Sequence, residues 1–154
     1  MAGAEERLAA LGLALPQPPG AAAAYVPTVV HGGLVWVSGQ LPFRDGSLPR
    51  LGVIDRDFTV EEGAEEARYC ALNALAHLKA AAGSLERIEQ VLKLTVFVAS
   101  SPKFFAQPLV ANGASELLQE VLGERGRHAR SAVGVAALPL GTPVELELVA
   151  ALSG

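Results

Sequence analysis

Residues 59–83 read TVEEGAEEARYCALNALAHLKAAAG, and further along the chain residues 91–98 read VLKLTVFV. The first run predicts a helix, because its apolar side chains recur at spacings of three and four. Thr59 and Glu62 have the spacing of a capping box, and Gly83 stands where such a helix ends. The second run is apolar and rich in β-branched residues, which is typical of a central strand. The apolar face of the helix comprises Val60, Ala64, Ala67, Ala71, Leu75, Leu78 and Ala82.

The segment before this helix predicts a β-hairpin. Two β-rich runs, Tyr25–His31 and Leu34–Ser38, are separated by Gly32-Gly33, a pair that suits a tight turn with left-handed backbone angles. Pro27 cannot donate a hydrogen bond to a neighbouring strand. We therefore expect the first run to lie at a sheet edge or to enter the sheet late.

The segment after the central strand predicts a second helix and two more strands. The helix spans about residues 108–122, and Gly113 inside it costs roughly 1 kcal/mol relative to alanine, which indicates a close contact there. The strands are expected at Ser131–Ala137 and Pro143–Leu152. The resulting order, β-β-α-β-α-β-β, places the two long helices on one face of the sheet and predicts a two-layer α+β sandwich. The other face also looks apolar, so we expect an oligomer to cover it.

Length and composition predict a single domain over residues 1–154, in which residues 1–24 hold a short helix (Glu5–Leu11) and a Pro/Ala-rich lead-in. The net charge of -4 leaves little basic surface for nucleic acid. The lone Cys70 excludes an internal disulfide and a cysteine-rich zinc site. No apolar run reaches the length of about 18 residues that a membrane span needs, and the N-terminus is unlike a signal peptide. We expect a cytoplasmic protein without a membrane segment and, since no phosphate-binding motif occurs, without a nucleotide cofactor.

Arg127, His128 and Arg130 form a basic cluster immediately before a strand of small apolar residues. An arginine there can bind a carboxylate through two parallel hydrogen bonds, which favours an anion site. An ion pair at a subunit interface is the competing interpretation. His128 could act as an acid or base, although a loop histidine is more often a structural hydrogen-bond donor.

The last strand contains Val144-Glu-Leu-Glu-Leu-Val149, whose alternation places Glu145 and Glu147 on one face. These residues are either a solvated strand face or carboxylates buried between subunits. Burial would raise the pKa of a carboxyl group and suit it to accept a proton from water. The three histidines are scattered and Cys70 is expected to be structural, so we expect no metal site.

The chain resembles one protein family in three segments: Tyr25 to Ser38-Gly-Gln-Leu-Pro42, Val91–Val98, and Ala129–Pro139 with Val144-Glu-Leu-Glu147. This is the Rid family, also called YjgF or L-PSP endoribonuclease-like. The resemblance implies a chorismate-mutase-like fold that assembles as a homotrimer with ligand clefts between subunits. It also implies cofactor-independent hydrolysis of 2-imino acids, or their enamine tautomers, to 2-keto acids and ammonia.

The resemblance also assigns roles to individual residues. Arg130 falls on the family's carboxylate-binding arginine, and Glu145 falls on the acidic residue that orients the attacking water. Tyr25 and Asn112 fall on residues of the substrate pocket. The candidate accessory residues are Arg127 and His128.

Two features depart from the family pattern. Ala132 stands where the deaminases of the family often have cysteine, and the stretch from Ser100 to Pro108 is longer than the corresponding stretch in the family. A second interpretation is therefore a protein that binds a small carboxylate without turning it over. RNA cleavage, which the family's older name suggests, is disfavoured by the negative charge and the lack of an aromatic and basic surface.

Overall fold

The computed structural model describes residues 1–18, 20 and 23–154, and its helices and strands follow the predicted order. The predicted lead-in includes residues 19, 21 and 22, which lie outside the described residues. The elements are α1 (Ala4–Ala10), β1 (Thr28–His31), β2 (Leu34–Gln40), α2 (Val60–Ala82), β3 (Ile88–Ala99), α3 (Gln107–Leu122), β4 (Ala129–Val135) and β5 (Val144–Leu152). None of the helices in these ranges combines the length and the apolar character that a membrane crossing requires.

The five strands form one sheet in the order β1-β2-β5-β3-β4. β3 and β4 are parallel, with α3 as the crossover between them, and the other pairs are antiparallel. The hairpin turns at Gly32 and Gly33, whose φ angles of 58° and 75° are both left-handed, as predicted. β1 is an edge strand that begins just after Pro27, so Tyr25 lies before the strand rather than within it.

β4 begins and ends two residues earlier than the sequence predicted. Its pairing with β3 starts at Lys93 with Ala129 and ends at Ala99 with Val135. The parallel partner, rather than the β-propensity of the segment, therefore sets the ends of this strand.

The ends of α2 lie where the capping residues predict. The Thr59 hydroxyl oxygen accepts a hydrogen bond from the Glu62 backbone N–H at 3.1 Å, and the Glu62 carboxylate accepts one from the Thr59 N–H at 2.7 Å. Gly83 ends the helix with a left-handed φ of 84°. The predicted apolar face of α2 packs into the core, and its five residues from Ala67 onward are buried.

α3 lies against α2 and comes closest to it at Gly113. A methyl group at this position would overlap the backbone carbonyl of Ala64 in α2. The close contact predicted from a glycine inside a helix is confirmed. Together the two helices cover one face of the sheet and enclose the main core.

The opposite face of the sheet is mixed, which corrects the expectation of an apolar surface. Trp36 and Val133 are 42% and 43% exposed on it. Strand pairing places Thr95 of β3 between Glu147 and Ser131, so polar side chains from three strands form a row across this face. Each strand contributes few polar residues, and only the register brings them together.

Candidate functional site

Arg130 leaves β4 on the helix side of the sheet and reaches α3. Its strand partner is Leu94, which is fully buried beneath the helices. The Nη1 group donates hydrogen bonds to Asn112 Oδ1 at 2.9 Å and to Ser115 Oγ at 3.1 Å, and Nη2 donates to the carbonyl oxygen of Pro108 at 3.2 Å. Three of the five N–H donors are thus used within the described part of the chain, and two remain for a ligand. The guanidinium is fixed in place yet retains enough donors to bind one carboxylate.

His128 supports the same cluster through Ser115. Its Nδ1 lies 2.6 Å from the carbonyl oxygen of Gly126, and its Nε2 lies 2.9 Å from Ser115 Oγ. Burial lowers the pKa of His128, the hydrogen bond to Gly126 opposes this, and the positive charge of Arg130 lowers it further. A carbonyl oxygen only accepts hydrogen bonds, so the neutral ring carries its proton on Nδ1. The unprotonated Nε2 then accepts a hydrogen bond from the Ser115 hydroxyl group. The Ser115 oxygen is then free to accept from Arg130.

Ser115 was not identified from the sequence. Asn112 and Ser115 are three residues apart, so they share one face of α3, and that face lies beside β4. The helical spacing was available as a signal, but only the packing of α3 against β4 shows which face matters. Arg127, by contrast, points away from the cluster, where it pairs with Glu124 at 3.4 Å with 67% of its side chain exposed.

Glu145 lies on the opposite face of the sheet from Arg130. Its strand partner is Phe97, and its carboxylate is half-buried. The carboxylate accepts no hydrogen bond from any residue of its own chain within 1–18, 20 and 23–154. Burial raises the pKa of Glu145, and the neighbouring charge of Glu147 raises it further.

A bulge in β2 makes room for this carboxylate. Val37 pairs with Leu148 and Gln40 pairs with Leu146, so β2 contains one extra residue at Ser38-Gly39. A methyl group on Gly39 would overlap Oε1 of Glu145. The glycine in this bulge therefore leaves the space that the Glu145 side chain occupies.

Tyr25 lies at the same end of the molecule as this bulge. It is 52% exposed and lines a cavity of about 360 Å³ together with Gly39 and the buried His77. Since Gly39 also lies against Glu145, the structure groups Tyr25 and Glu145 around the β2 bulge.

The predicted site residues thus form two groups within one chain. The first group is Arg130 with Asn112 and His128, at the β4 edge, and the second is Tyr25 and Glu145, which both lie beside Gly39. β3 separates β4 from β5, which corresponds to a lateral distance of about 9–10 Å, and the side chains of Arg130 and Glu145 leave the sheet on opposite faces. A single chain does not bring the two groups together.

Other titratable residues offer no separate centre. Within residues 1–18, 20 and 23–154, no three His, Cys, Asp or Glu side chains are grouped to hold a metal ion. Cys70 is fully buried, and burial raises the pKa of its thiol well above the ordinary value, as expected of a structural cysteine.

Comparison with known proteins identifies the family. The family model described as "YjgF/chorismate_mutase-like, putative endoribonuclease" matches residues 5–152. The chain belongs to this YjgF family. The predicted family and its chorismate-mutase-like α+β fold are both confirmed.

The YjgF relatives include curated and solved proteins. Protein TCP17 of Trypanosoma cruzi is 47% identical over 144 residues, which cover 93% of this chain and 90% of that protein. The crystal structure of Atu1372 from Agrobacterium tumefaciens, described as of unknown function, is 47% identical with a TM-score of 0.91, and the match covers 97% of this chain and 92% of that one. TdcF of E. coli, solved with bound serine, is 28% identical with a TM-score of 0.63, covering 89% and 94%. The chain is thus structurally much closer to Atu1372 than to TdcF.

Proposed function

We propose that this YjgF protein hydrolyses 2-imino acids, or their enamine tautomers, to 2-keto acids and ammonia. The observation that carries the proposal is the guanidinium of Arg130, which three hydrogen bonds fix in place while two N–H donors have no partner among the described residues. A carboxylate bound there would be oriented as well as held, because each of its two oxygens can accept a hydrogen bond from one of the two free N–H groups. TdcF supports this choice of ligand, since the serine it binds carries the same carboxylate beside a nitrogen-bearing carbon.

Glu145 supplies the base. Water adds to the carbon of the C=N bond while Glu145 accepts one water proton and passes it to the imine nitrogen, which gives a neutral amino alcohol. Glu145 then accepts the proton of the hydroxyl group and donates it to the amine nitrogen as the C–N bond breaks, which leaves a 2-keto acid and ammonia. A carboxyl group whose pKa is raised by burial suits both proton transfers better than an ordinary glutamate would.

The site is completed between two copies of the chain in a homotrimer. Arg130 and Asn112 of one copy face Tyr25 and Glu145 of the next in this proposal. Two observations support it: Arg130 and Glu145 lie on opposite faces of one sheet, and Glu145 has no donor among the described residues of its own chain. A neighbouring subunit would supply what each group lacks.

The first experiment measures imine hydrolysis. An amino acid oxidase generates 2-iminopropanoate in place, and the rate of its loss is followed with and without the purified protein. Arg130→Ala should lower kcat/KM at least tenfold. Arg68→Ala removes an arginine that pairs with Glu120 elsewhere on the surface, and it should leave the rate unchanged. Equal rates for Arg130→Ala and the native protein would contradict the role of Arg130.

A mixing experiment tests whether the site is shared. Arg130→Ala and Glu145→Gln chains are unfolded, mixed in equal amounts and refolded together. If each site takes its arginine from one copy and its glutamate from another, about one quarter of the sites regain both residues. If both residues act within one chain, the mixture stays as inactive as its components.

Binding without turnover is the alternative outcome of the same assays. In that case 2-keto acids would raise the melting temperature in an Arg130-dependent way while the imine decays at its uncatalysed rate. Cleavage of single-stranded RNA by a nuclease-free preparation would favour the third interpretation, which the net charge of -4 disfavours. The cytoplasmic location stays a prediction that cell fractionation would test.

A further inference from the structure

Three loops meet beside the start of α3 and enclose a cleft of about 560 Å³. The first contributes Val53 and Arg56, the second is the stretch 100–107 from the end of β3 to the first residue of α3, and the third is the stretch 134–136 at the end of β4. Phe105 stands at this cleft with 82% of its surface exposed, an unusual position for a phenylalanine in a soluble chain. The longer segment noted in the sequence therefore forms one wall of a cleft.

This cleft begins next to Arg130 and the α3 residues that accept its hydrogen bonds. Gln107 lines the cleft, and the following residue, Pro108, provides the carbonyl that accepts a hydrogen bond from Arg130. Side chains alternate along a strand, so Ala132 and Gly134 share the Arg130 side of β4. Both are small, and Gly134 lines the cleft itself. The strand thus runs from the guanidinium to the cleft without a bulky side chain in between.

The floor of the cleft is fixed by polar contacts. The Gln107 amide donates to the carbonyl oxygen of Phe104 at 2.7 Å and contacts Ser100 Oγ at 3.4 Å. A methyl group on Gly134 would lie 2.7 Å from the Gln107 amide nitrogen and 2.9 Å from Ser100 Oγ. Because residue 134 has no side chain, the Gln107 amide and the Ser100 hydroxyl pack directly against the backbone of β4. These contacts give the cleft a defined shape.

We propose that this cleft binds an aromatic side chain of the substrate whose carboxylate Arg130 holds. The inference rests on the proposed function and adds the substrate class. Gly134 lies four positions along the strand from Arg130, or about 13 Å between Cα atoms, and the Nη2 group of Arg130 shortens this distance by reaching the Pro108 carbonyl beside the cleft. A 2-imino acid with a ring on its third carbon spans the remainder, whereas one with a methyl group leaves the cleft unfilled. Phe104 and Phe105 offer ring surfaces against which such a side chain can pack.

The test compares two stable products by equilibrium binding, pyruvate and phenylpyruvate. The native protein should bind phenylpyruvate at least about tenfold more tightly, because its ring leaves water and fills the cleft. Phe105→Ala should reduce this preference to less than about threefold while leaving pyruvate binding unchanged. Ala136→Phe, which fills the cleft from an exposed position, should also weaken phenylpyruvate binding only.

Leu109→Ala is the matched control, since Leu109 is an exposed apolar residue on α3 that does not line the cleft. It should leave both affinities unchanged. Equal affinities of the native protein for the two acids, together with Arg130-dependent binding of pyruvate, would overturn the subsite and leave the proposed function standing. Binding of neither acid would overturn both. Phenylpyruvate binding that survives Arg130→Ala at full strength would separate the cleft from the arginine and overturn the inference.

Discussion

At the scale of single residues, the carboxylate of Glu145 occupies the space that a side chain on residue 39 would need. Gly39 is therefore selected by a neighbour on another strand and not by its own backbone angles, since its φ is not in the left-handed region. Gly134 is likewise required by a neighbouring group, in this case the side-chain amide of Gln107 in α3. In both places a missing side chain positions a polar group beside a candidate site.

Gly39→Ala tests the first of these contacts. The added methyl group meets the far end of a flexible side chain, so Glu145 can rotate away and the fold should survive. We expect at least a tenfold loss of kcat for imine hydrolysis with a melting temperature within a few degrees of the native value. Activity and circular dichroism melting, measured on one preparation, check this. A variant with full activity would show that the position of Glu145 is immaterial.

The pH dependence of turnover should report on Glu145. Only the ionised carboxylate accepts a proton, so kcat should fall as pH drops through the folded pKa, which burial and Glu147 place above the ordinary glutamate value. Because the folded chain holds this proton more strongly than the unfolded chain, the residue's contribution to stability is lost as pH rises from the ordinary pKa through the folded pKa. Glu145→Gln should abolish this limb in both the rate profile and the stability profile. An unchanged acid limb in the variant would assign it to another group.

At the scale of elements, the hairpin turn, both ends of α2 and the helix contact at Gly113 were all predictable, because each depends on residues close in sequence or on glycine geometry. The ends of β4 were not, since its parallel partner is distant in the chain. The partners of Arg130 were predictable only in part. The family resemblance supplied Asn112, while Ser115 and the orienting role of His128 depend on how α3 packs against β4.

The crossing of α2 and α3 can be probed with a matched pair of glycines. Gly113→Ala places a methyl group on a backbone carbonyl that cannot move independently, so the free energy of unfolding should fall by about 2 kcal/mol despite the gain in helix propensity. Gly63→Ala, on the facing helix, places its methyl group 2.7 Å from the terminal carbon of Ile54, which is a side-chain end. Its cost should stay under about 1 kcal/mol. Urea unfolding at equilibrium compares the two, and a larger loss for Gly63→Ala would contradict this description of the crossing.

At the scale of the whole molecule, the mixed outer face of the sheet is the surface that assembly would bury. It combines Trp36 and Val133 with a row of polar side chains around Thr95. This mixed composition is closer to that of interfaces that form reversibly than to that of the more apolar obligate interfaces. The high apolar fraction of the chain arises in part from alanines buried on α2.

Val133→Asp tests whether this face associates. A charge on this face would be buried unpaired in the contact between subunits, so it should shift the native assembly, expected to be a trimer, toward monomers. Leu109→Asp places the same charge at an exposed apolar position on the helix side and should leave the assembly intact. Light scattering after size-exclusion chromatography gives both masses. A monomeric native protein would contradict the proposed shared site as well.

Because the sheet separates Arg130 from Glu145, a mutation in one chain would also inactivate a site that the chain shares with a neighbouring subunit. In the proposed ring of three, a chain defective at both positions disables one site through its arginine and another through its glutamate, so a single such chain leaves one working site of three. A cell that makes normal and doubly defective chains together would lose activity faster than it loses normal protein. This dominant loss of activity would follow from one structural fact, which is that Arg130 and Glu145 leave the same sheet on opposite faces.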